Sequence, residues 1–214
     1  MTAAYCANCG QRQTPSIVPV GDWFGDLVEG LFGADAVLPR TLATLLLRPG
    51  ELTRRYAEGR RASQSGPLRV YIVVSAAVIG LMTTFNAFSS FGDLDPGVLT
   101  VFPLVNLLSP LFLGGLLKIA FPRRLTMLHL VFGTHFATIM VIVTTPTIFL
   151  DDPLMLTASL GVLSLLLMAH LAAAMRHVYG CGWLRAGTSA VGVYVVLTLF
   201  LQLALGGLLR AFSA

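Results

Sequence analysis

The sequence predicts an all-α membrane protein, a bundle of about five transmembrane helices preceded by a short N-terminal region of amphipathic helices. Five apolar stretches of 22 to 24 residues fill the chain from residue 70 to residue 212, and a helix needs about 20 residues to cross a bilayer core. Charged residues make up only 11% of the chain, against about 25% in soluble domains. A soluble fold of this size could not bury so much apolar surface, so lipid must act as part of its solvent.

Three zones follow one another along the chain. Residues 1–15 contain a pair of cysteines and resemble half of a zinc ribbon, and residues 16–69 form a basic region with short amphipathic helical patterns. Residues 70–214 form the transmembrane bundle. The predicted spans are 70–91, 98–121, 127–150, 154–175 and 189–212. Pro103, Pro110 and Pro146 fall inside the second and third spans, where prolines predict kinks and not breaks.

The basic region ends in two short helical segments. Residues 41–47 are apolar but too few to span a bilayer, and Pro49 disfavours helical geometry at the residue before it. Residues 51–61 then predict a short basic helix with Leu52 and Tyr56 on one face. This helix either lies flat on the membrane with its arginines toward anionic lipid, or belongs to a cytosolic cap packed on the bundle. The arginines predicted to meet headgroups are Arg54, Arg55, Arg60, Arg61 and Arg69.

Basic residues lie almost entirely on one side of the predicted arrangement. Of the fourteen Lys and Arg residues, twelve lie before the first span, between the second and third spans or between the fourth and fifth, and Lys118 lies at the same end of the second span. The opposite loops contain Asp93, Asp95, Asp151 and Asp152. Because basic loops stay in the cytosol, we expect a multi-pass protein of the bacterial cytoplasmic (inner) membrane, with its N-terminus in the cytosol and its C-terminus outside. The net charge of +4 therefore indicates topology and not nucleic-acid binding.

Cys6 and Cys9 form a C-x-x-C-G knuckle, in which two thiolates can reach one zinc ion. A structural zinc needs four ligands. His177 and Cys181, on the same predicted side of the membrane, would complete the set, as would the cysteine pair of a second copy of the chain. The alternatives are cysteines without a ligand and a redox dithiol.

Three histidines, His129, His135 and His170, lie within the third and fourth spans. At 1.5 Å per residue His135 lies about 12 Å into its helix and His170 about 8 Å from the same side, so the two could meet. Facing imidazoles would hold haem or a metal, or relay protons; the alternative is neutral histidines hydrogen-bonded between helices. All ten Asp and Glu residues lie outside the spans. No catalytic constellation is visible, and we do not expect an enzyme.

Four segments occur in a recognisable order: YCANCGQ, LLLRPGELTRRYAEGRR, LHLVFGTHF and RHVYG. Together they resemble the uncharacterised bacterial multi-pass membrane family named domain of unknown function 3667. Members of that family often open with two C-x-x-C knuckles, of which this chain matches only the second, at Cys6 and Cys9. His129 and His135 match histidines that recur in the family. The resemblance implies an architecture and leaves the activity open.

Three functions remain compatible with these observations. The first is a non-enzymatic scaffold or accessory protein, with a cytosolic surface that docks anionic lipid, a protein partner or a second copy of the chain. The second is a small-molecule or ion permease component, although five spans cannot divide into two equal repeats. The third is an intramembrane haem- or metal-binding protein that uses His135 and His170. Zinc is the cofactor that we expect, and we do not expect haem.

Overall fold

A computed structural model describes residues 37–60, 63–84 and 96–212, and these residues form α-helices and no strand. The all-α class is therefore confirmed for the part of the chain that the structure describes. The α-helices are α1 (Leu38–Leu47), α2 (Glu51–Ala57), α3 (Pro67–Thr84), α4 (Pro96–Ala120), α5 (Thr126–Thr144), α6 (Pro153–Tyr179) and α7 (Trp183–Phe212). A 3-10 turn, Thr145–Phe149, follows α5. The cysteine knuckle at Cys6 and Cys9, and most of the N-terminal region, lie outside the described residues.

Four of the described helices are long and apolar enough to cross a membrane. They are Pro67–Thr84, Thr126–Thr147, Pro153–Tyr179 and Trp183–Gly207. The second predicted span, 98–121, corresponds to α4, a helix of 25 residues of which Val105–Ala120 counts as a shorter apolar helix. The structure thus supports a helical membrane protein with four candidate spans, and the predicted number of five is not confirmed.

Several helix ends differ from the predicted spans, each for a local reason. α6 continues past residue 175 to Tyr179, where Gly180 takes a left-handed conformation with φ of 66° and ends the helix. His177 therefore lies in the last turn of α6 and not beyond it. α5 changes to a 3-10 turn at Pro146, because a proline cannot donate the backbone hydrogen bond that an α-helix requires. α7 begins six residues earlier than predicted, at Trp183.

The helices pack around α5. This helix contacts α3 and α4, while α4 contacts α7 and α7 contacts α6. Every residue from Val131 to Ile139 is buried, as expected of a helix with neighbours on all sides. By contrast α6 and α7 expose leucines on their outer faces, among them Leu165, Leu166 and Leu203. In a membrane those leucines face hydrocarbon at no cost.

A short helical hairpin closes the gap between α5 and α6, which make few contacts with each other. In this hairpin α1 buries Thr41 and Leu45, and α2 buries Leu52 and Thr53. Helix α2 contacts both α5 and α6. Of the two arrangements that the sequence allows for the basic helix, the packing is that of a cap on the bundle. The helix ends at Ala57, four residues earlier than predicted, and Gly59 follows with φ of 78°.

Candidate functional site

The turn between α1 and α2 brings the hairpin very close to α6. Gly50 has φ of +77°, a left-handed conformation that glycine adopts readily. A Cβ atom at this position would lie 2.8 Å from the carbonyl oxygen of Ala174 and 2.9 Å from Cγ2 of Val178. Glycine is therefore required at position 50 for two reasons, its left-handed backbone angle and its lack of a side chain.

Glu51, the first residue of α2, is the centre of a charged cluster. Arg55 donates to its Oε1 at 2.7 Å, and Arg54 donates to its Oε2 at 2.9 Å. Nε2 of His177, in the last turn of α6, lies 3.0 Å from the same Oε2. The cluster thus joins the start of α2 to the end of α6. Arg54 also donates to Glu58 at 2.6 Å, and Glu58 accepts from Arg60.

The Glu51 carboxylate remains ionised in this environment. Partial burial raises its pKa, but the hydrogen bonds from Arg55, His177 and Arg54 outweigh that effect and lower the pKa to about 2. The bond to Glu51 in turn raises the pKa of Arg54. The arginines of α2 are therefore largely neutralised within the protein. Sequence reasoning assigned them to lipid headgroups and overlooked the signal of a glutamate three and four residues before an arginine.

The other predicted headgroup arginines have different surroundings. Arg61 lies outside the described residues. Arg69 is half-buried in the first turn of α3 and makes contacts there. The assignment of these arginines to anionic headgroups stays a prediction.

His135 and His170 line one small pocket beneath the hairpin. Leu45, Gly50 and Thr53 contribute to its wall, and its volume of about 10 Å³ is near the lower limit for a single water molecule. The His135 side chain is 4% exposed. Its Nδ1 lies 2.8 Å from Oγ1 of Thr53, a contact that the sequence did not predict.

Both histidines keep one ring nitrogen without a partner. Nε2 of His135 and Nε2 of His170 are buried and form no hydrogen bond with the residues that the structure describes. Buried polar atoms almost always have a partner, so two such atoms on histidines that line one pocket need an explanation. The pocket has room for a water molecule or one metal ion and not for a porphyrin.

His129 occupies a separate position nearer the end of α5. It is fully buried, and its Nδ1 lies 2.9 Å from the hydroxyl of Tyr179. Tyr179 stacks on Phe121, with ring centroids 4.1 Å apart, and on Phe132. The structure therefore gives His129 a contact between helices and does not bring it to the pair formed by His135 and His170.

His177 and Cys181 are the residues predicted to complete a zinc site with Cys6 and Cys9, and the structure describes His177 and Cys181 but not the two knuckle cysteines. His177 and Cys181 line one open pocket with Pro49, Arg176 and Trp183. Within the described ranges no group of three or more His, Cys, Asp or Glu side chains has the spacing of a metal site. Zinc at Cys6 and Cys9 stays a prediction.

Three contacts gather basic side chains at one end of the bundle. Arg54 of α2 meets His177 at the end of α6, Arg124 donates to the carbonyl oxygen of Tyr179 at 3.2 Å, and Arg185 donates to that of Ala120 at 3.4 Å. We call this region, made of α2, residues 118–125 and residues 176–185, the basic end. The opposite end includes Asp151 and Asp152, and Asp152 caps the first turn of α6.

These features define a class: an all-α protein with apolar helices of membrane-spanning length and a cap of short, charged helices at one end. The family model described as Protein of unknown function (DUF3667) matches residues 35–79, and this match confirms the resemblance over those residues. They comprise α1, α2 and most of α3, including the turn at Gly50 and the residues of α2 that contact α5 and α6. No curated protein and no solved structure matches the chain.

Proposed function

We propose that the protein is a non-enzymatic, multi-pass protein of a bacterial cytoplasmic membrane, whose basic end lies in the cytosol and acts as a docking surface. The supporting observation is the gathering of α2, residues 118–125 and residues 176–185 at one end by the contacts of Arg54, Arg124 and Arg185. Basic segments are retained in the cytosol during membrane insertion. The N-terminus is then cytosolic and the C-terminus outside.

The shape of the basic end supports docking. Two open pockets lie on either side of Gly180 and Cys181, with volumes of about 440 and 510 Å³. Pockets of a few hundred Å³ are typical of sites that take a small molecule or a partner's side chains. The described histidines and carboxylates of this end, Glu51, Glu58 and His177, bond to arginines, which favours a binding surface over a reaction centre.

A single cysteine can test both the orientation and the docking role. In a Cys6→Ser, Cys9→Ser background Cys181 is the remaining thiol, and it is partly exposed at the basic end. We expect a membrane-impermeant maleimide to label Cys181 in inside-out vesicles and not in intact cells. A benzophenone maleimide at Cys181 should yield discrete cross-linked adducts in those vesicles.

The matched control carries Asp151→Cys and Cys181→Ser in the same background. We expect the reverse pattern of labelling and no cytosolic adduct from position 151. Labelling of Cys181 in intact cells would contradict the proposed orientation. Absence of adducts from a correctly oriented Cys181 would contradict the docking role.

A second candidate function is the binding of one small ligand by His135 and His170, and a metal ion is the ligand that we test first. The two unpartnered Nε2 atoms in one pocket favour it. If Thr53 accepts a hydrogen bond from Nδ1 of His135, the lone pair of Nε2 is left for a ligand. Second-shell partners of this kind orient metal-binding imidazoles.

Metal analysis of the purified full chain separates this candidate from zinc at the cysteine knuckle. If the histidine pair binds zinc, the metal should remain in Cys6→Ser, Cys9→Ser protein and disappear in His135→Ala and His170→Ala proteins. Thr53→Val should weaken zinc binding by about tenfold. If zinc is lost from the Cys6→Ser, Cys9→Ser protein but remains in the His135→Ala and His170→Ala proteins, the metal belongs to the cysteine knuckle. A Soret band lost in His135→Ala protein would instead support haem.

A further inference from the structure

One pocket of the basic end is rich in arginine. Phe121, Pro122, Arg123 and Arg124 form one side of it, where α4 turns into α5, and the other side comes from the junction of α6 and α7. That second side consists of Tyr179, Gly180, Cys181 and Arg185. The volume is about 510 Å³, and no acidic residue lines it. We call Arg123, Arg124 and Arg185 with this cavity the arginine pocket.

The protein holds two of the three guanidinium groups in place. Arg124 donates one N–H to the carbonyl oxygen of Tyr179, and Arg185 donates one to that of Ala120. The Arg185 guanidinium also lies over the ring of Phe121, 5.1 Å from its centroid. A guanidinium carries several N–H donors in a planar fork, so each of these groups keeps donors for a ligand.

The loop beneath the pocket is also fixed. Lys118 donates to the carbonyl oxygens of Pro122 and Arg124, at 2.9 Å each. The stacked rings of Phe121 and Tyr179 lie 4.1 Å apart, in nearly parallel planes. The loop that carries two of the arginines is therefore already fixed by these contacts. A ligand that binds the arginines does not lose binding free energy to ordering of the loop.

The arginine pocket differs from the arginines of α2 in its charge balance. Arg54, Arg55 and Arg60 each form an ion pair with Glu51 or Glu58. Arg123, Arg124 and Arg185 are exposed and form no ion pair with any residue that the structure describes. Of the five described Lys and Arg residues of the basic end that form no ion pair, three line this pocket, and Lys118 and Arg176 are the other two.

We propose that the arginine pocket binds a terminal phosphate group, either the phosphomonoester headgroup of an anionic phospholipid such as phosphatidic acid or a soluble phosphate. Guanidinium groups match phosphate oxygens in bidentate geometry, and basic pockets between helices at the cytosolic surface bind anionic headgroups. The inference names a ligand for the proposed docking surface and rests on that proposal. The alternative role, in which Arg124 and Arg185 only cap the ends of α6 and α4, does not use Arg123.

The test uses the full chain in neutral detergent and measures equilibrium binding of three probes: dihexanoyl phosphatidic acid, dihexanoyl phosphatidylcholine and inorganic phosphate. We expect phosphatidic acid to bind and phosphatidylcholine not to bind. A triple variant, Arg123→Gln with Arg124→Gln and Arg185→Gln, should lose at least about tenfold in affinity for phosphatidic acid. If inorganic phosphate binds with equal affinity and competes, the site takes a soluble phosphate; if it does not, the acyl chains contribute and the site takes a lipid.

Two further variants make the result specific. A control triple variant, Arg40→Gln with Arg48→Gln and Arg60→Gln, removes the same charge from positions outside the pockets of the basic end and should change the affinity by less than about threefold. Arg123→Gln alone removes no hydrogen bond or ion pair that the structure describes, so it tests the pocket without breaking a contact between helices, and should weaken binding by about threefold or more. Equal losses in both triple variants, or unchanged binding in the Arg123→Gln protein, would overturn the proposal.

The outcome is separable from that of the proposed function. If Cys181 is labelled from the cytosol but phosphatidic acid fails to bind, only the arginine pocket proposal fails. If Cys181 is labelled in intact cells while the probe binds in detergent, the orientation and the cytosolic docking role fail, and the binding site remains.

Discussion

Gly50→Ala protein is expected to be less stable than the native protein by about 2–5 kcal/mol, because two penalties act together. An alanine in the left-handed conformation costs about 1–2 kcal/mol, and forcing extra atoms into a packed contact costs about 1–3 kcal/mol. The added methyl group would meet the backbone oxygen of Ala174 at 2.8 Å. Since that oxygen belongs to α6, the hairpin and the helix would have to separate.

Gly59→Ala is the matched control for this change. Gly59 has φ of +78°, almost the same as Gly50, but a Cβ atom there would meet nothing within 4 Å. Its loss of stability should be only the cost of the left-handed conformation, about 1–2 kcal/mol. Both free energies of unfolding are measurable by titrating dodecylsulfate into mixed micelles and following the loss of helix by circular dichroism. Equal losses at the two glycines would show that α2 does not pack on α6 as described.

The segment 35–79, which the family model matches, makes three specific contacts with the long helices that follow it. Within it, Gly50 sets the approach to α6, Glu51 bonds with His177, and Thr53 meets His135. Each partner lies on α5 or α6, beyond the matched residues. Residues 48–53 therefore hold the short hairpin between the two long helices α5 and α6.

The fold class was predictable because it depends on quantities that a sequence states directly. The length of each apolar stretch sets the number of long helices, and the distribution of arginines indicates which ends lie together. Helix ends were less predictable, since they depend on single residues. α6 ends later than predicted, where Gly180 terminates it, and α5 ends earlier than predicted because of Pro146.

The site was predictable only in outline. Counting residues along two helices placed His135 and His170 at similar depth, and both line one pocket. The partner of His135 could not be predicted in the same way, because Thr53 reaches it through a contact across 82 positions of the chain. The arginine pocket likewise joins a loop and a turn that are about 60 residues apart, and no local pattern reports such a contact.

Gly133→Ala protein is expected to lose about 1–3 kcal/mol of stability, although alanine is by itself the better helix former. A Cβ atom on Gly133 would lie 2.6 Å from the carbonyl oxygen of Pro110 and 3.1 Å from the backbone nitrogen of Gly114. Both atoms belong to the backbone of α4 and cannot move aside as a side chain does. Small residues at such positions let membrane helices approach closely, and α4 and α5 would have to separate to admit a methyl group.

Gly115→Ala provides the comparison for Gly133 within the same pair of helices. Gly115 lies in the interior of α4, and a Cβ atom there would meet nothing within 4 Å. Without a clash the preference of helices for alanine dominates, so this variant should be unchanged or more stable by up to about 1 kcal/mol. Dodecylsulfate titration of the two variants in parallel checks the difference. If Gly133→Ala protein were as stable as Gly115→Ala protein, the backbones of α4 and α5 could not be in contact at Gly133, and the burial of α5 at the centre of the bundle would have to be abandoned with it.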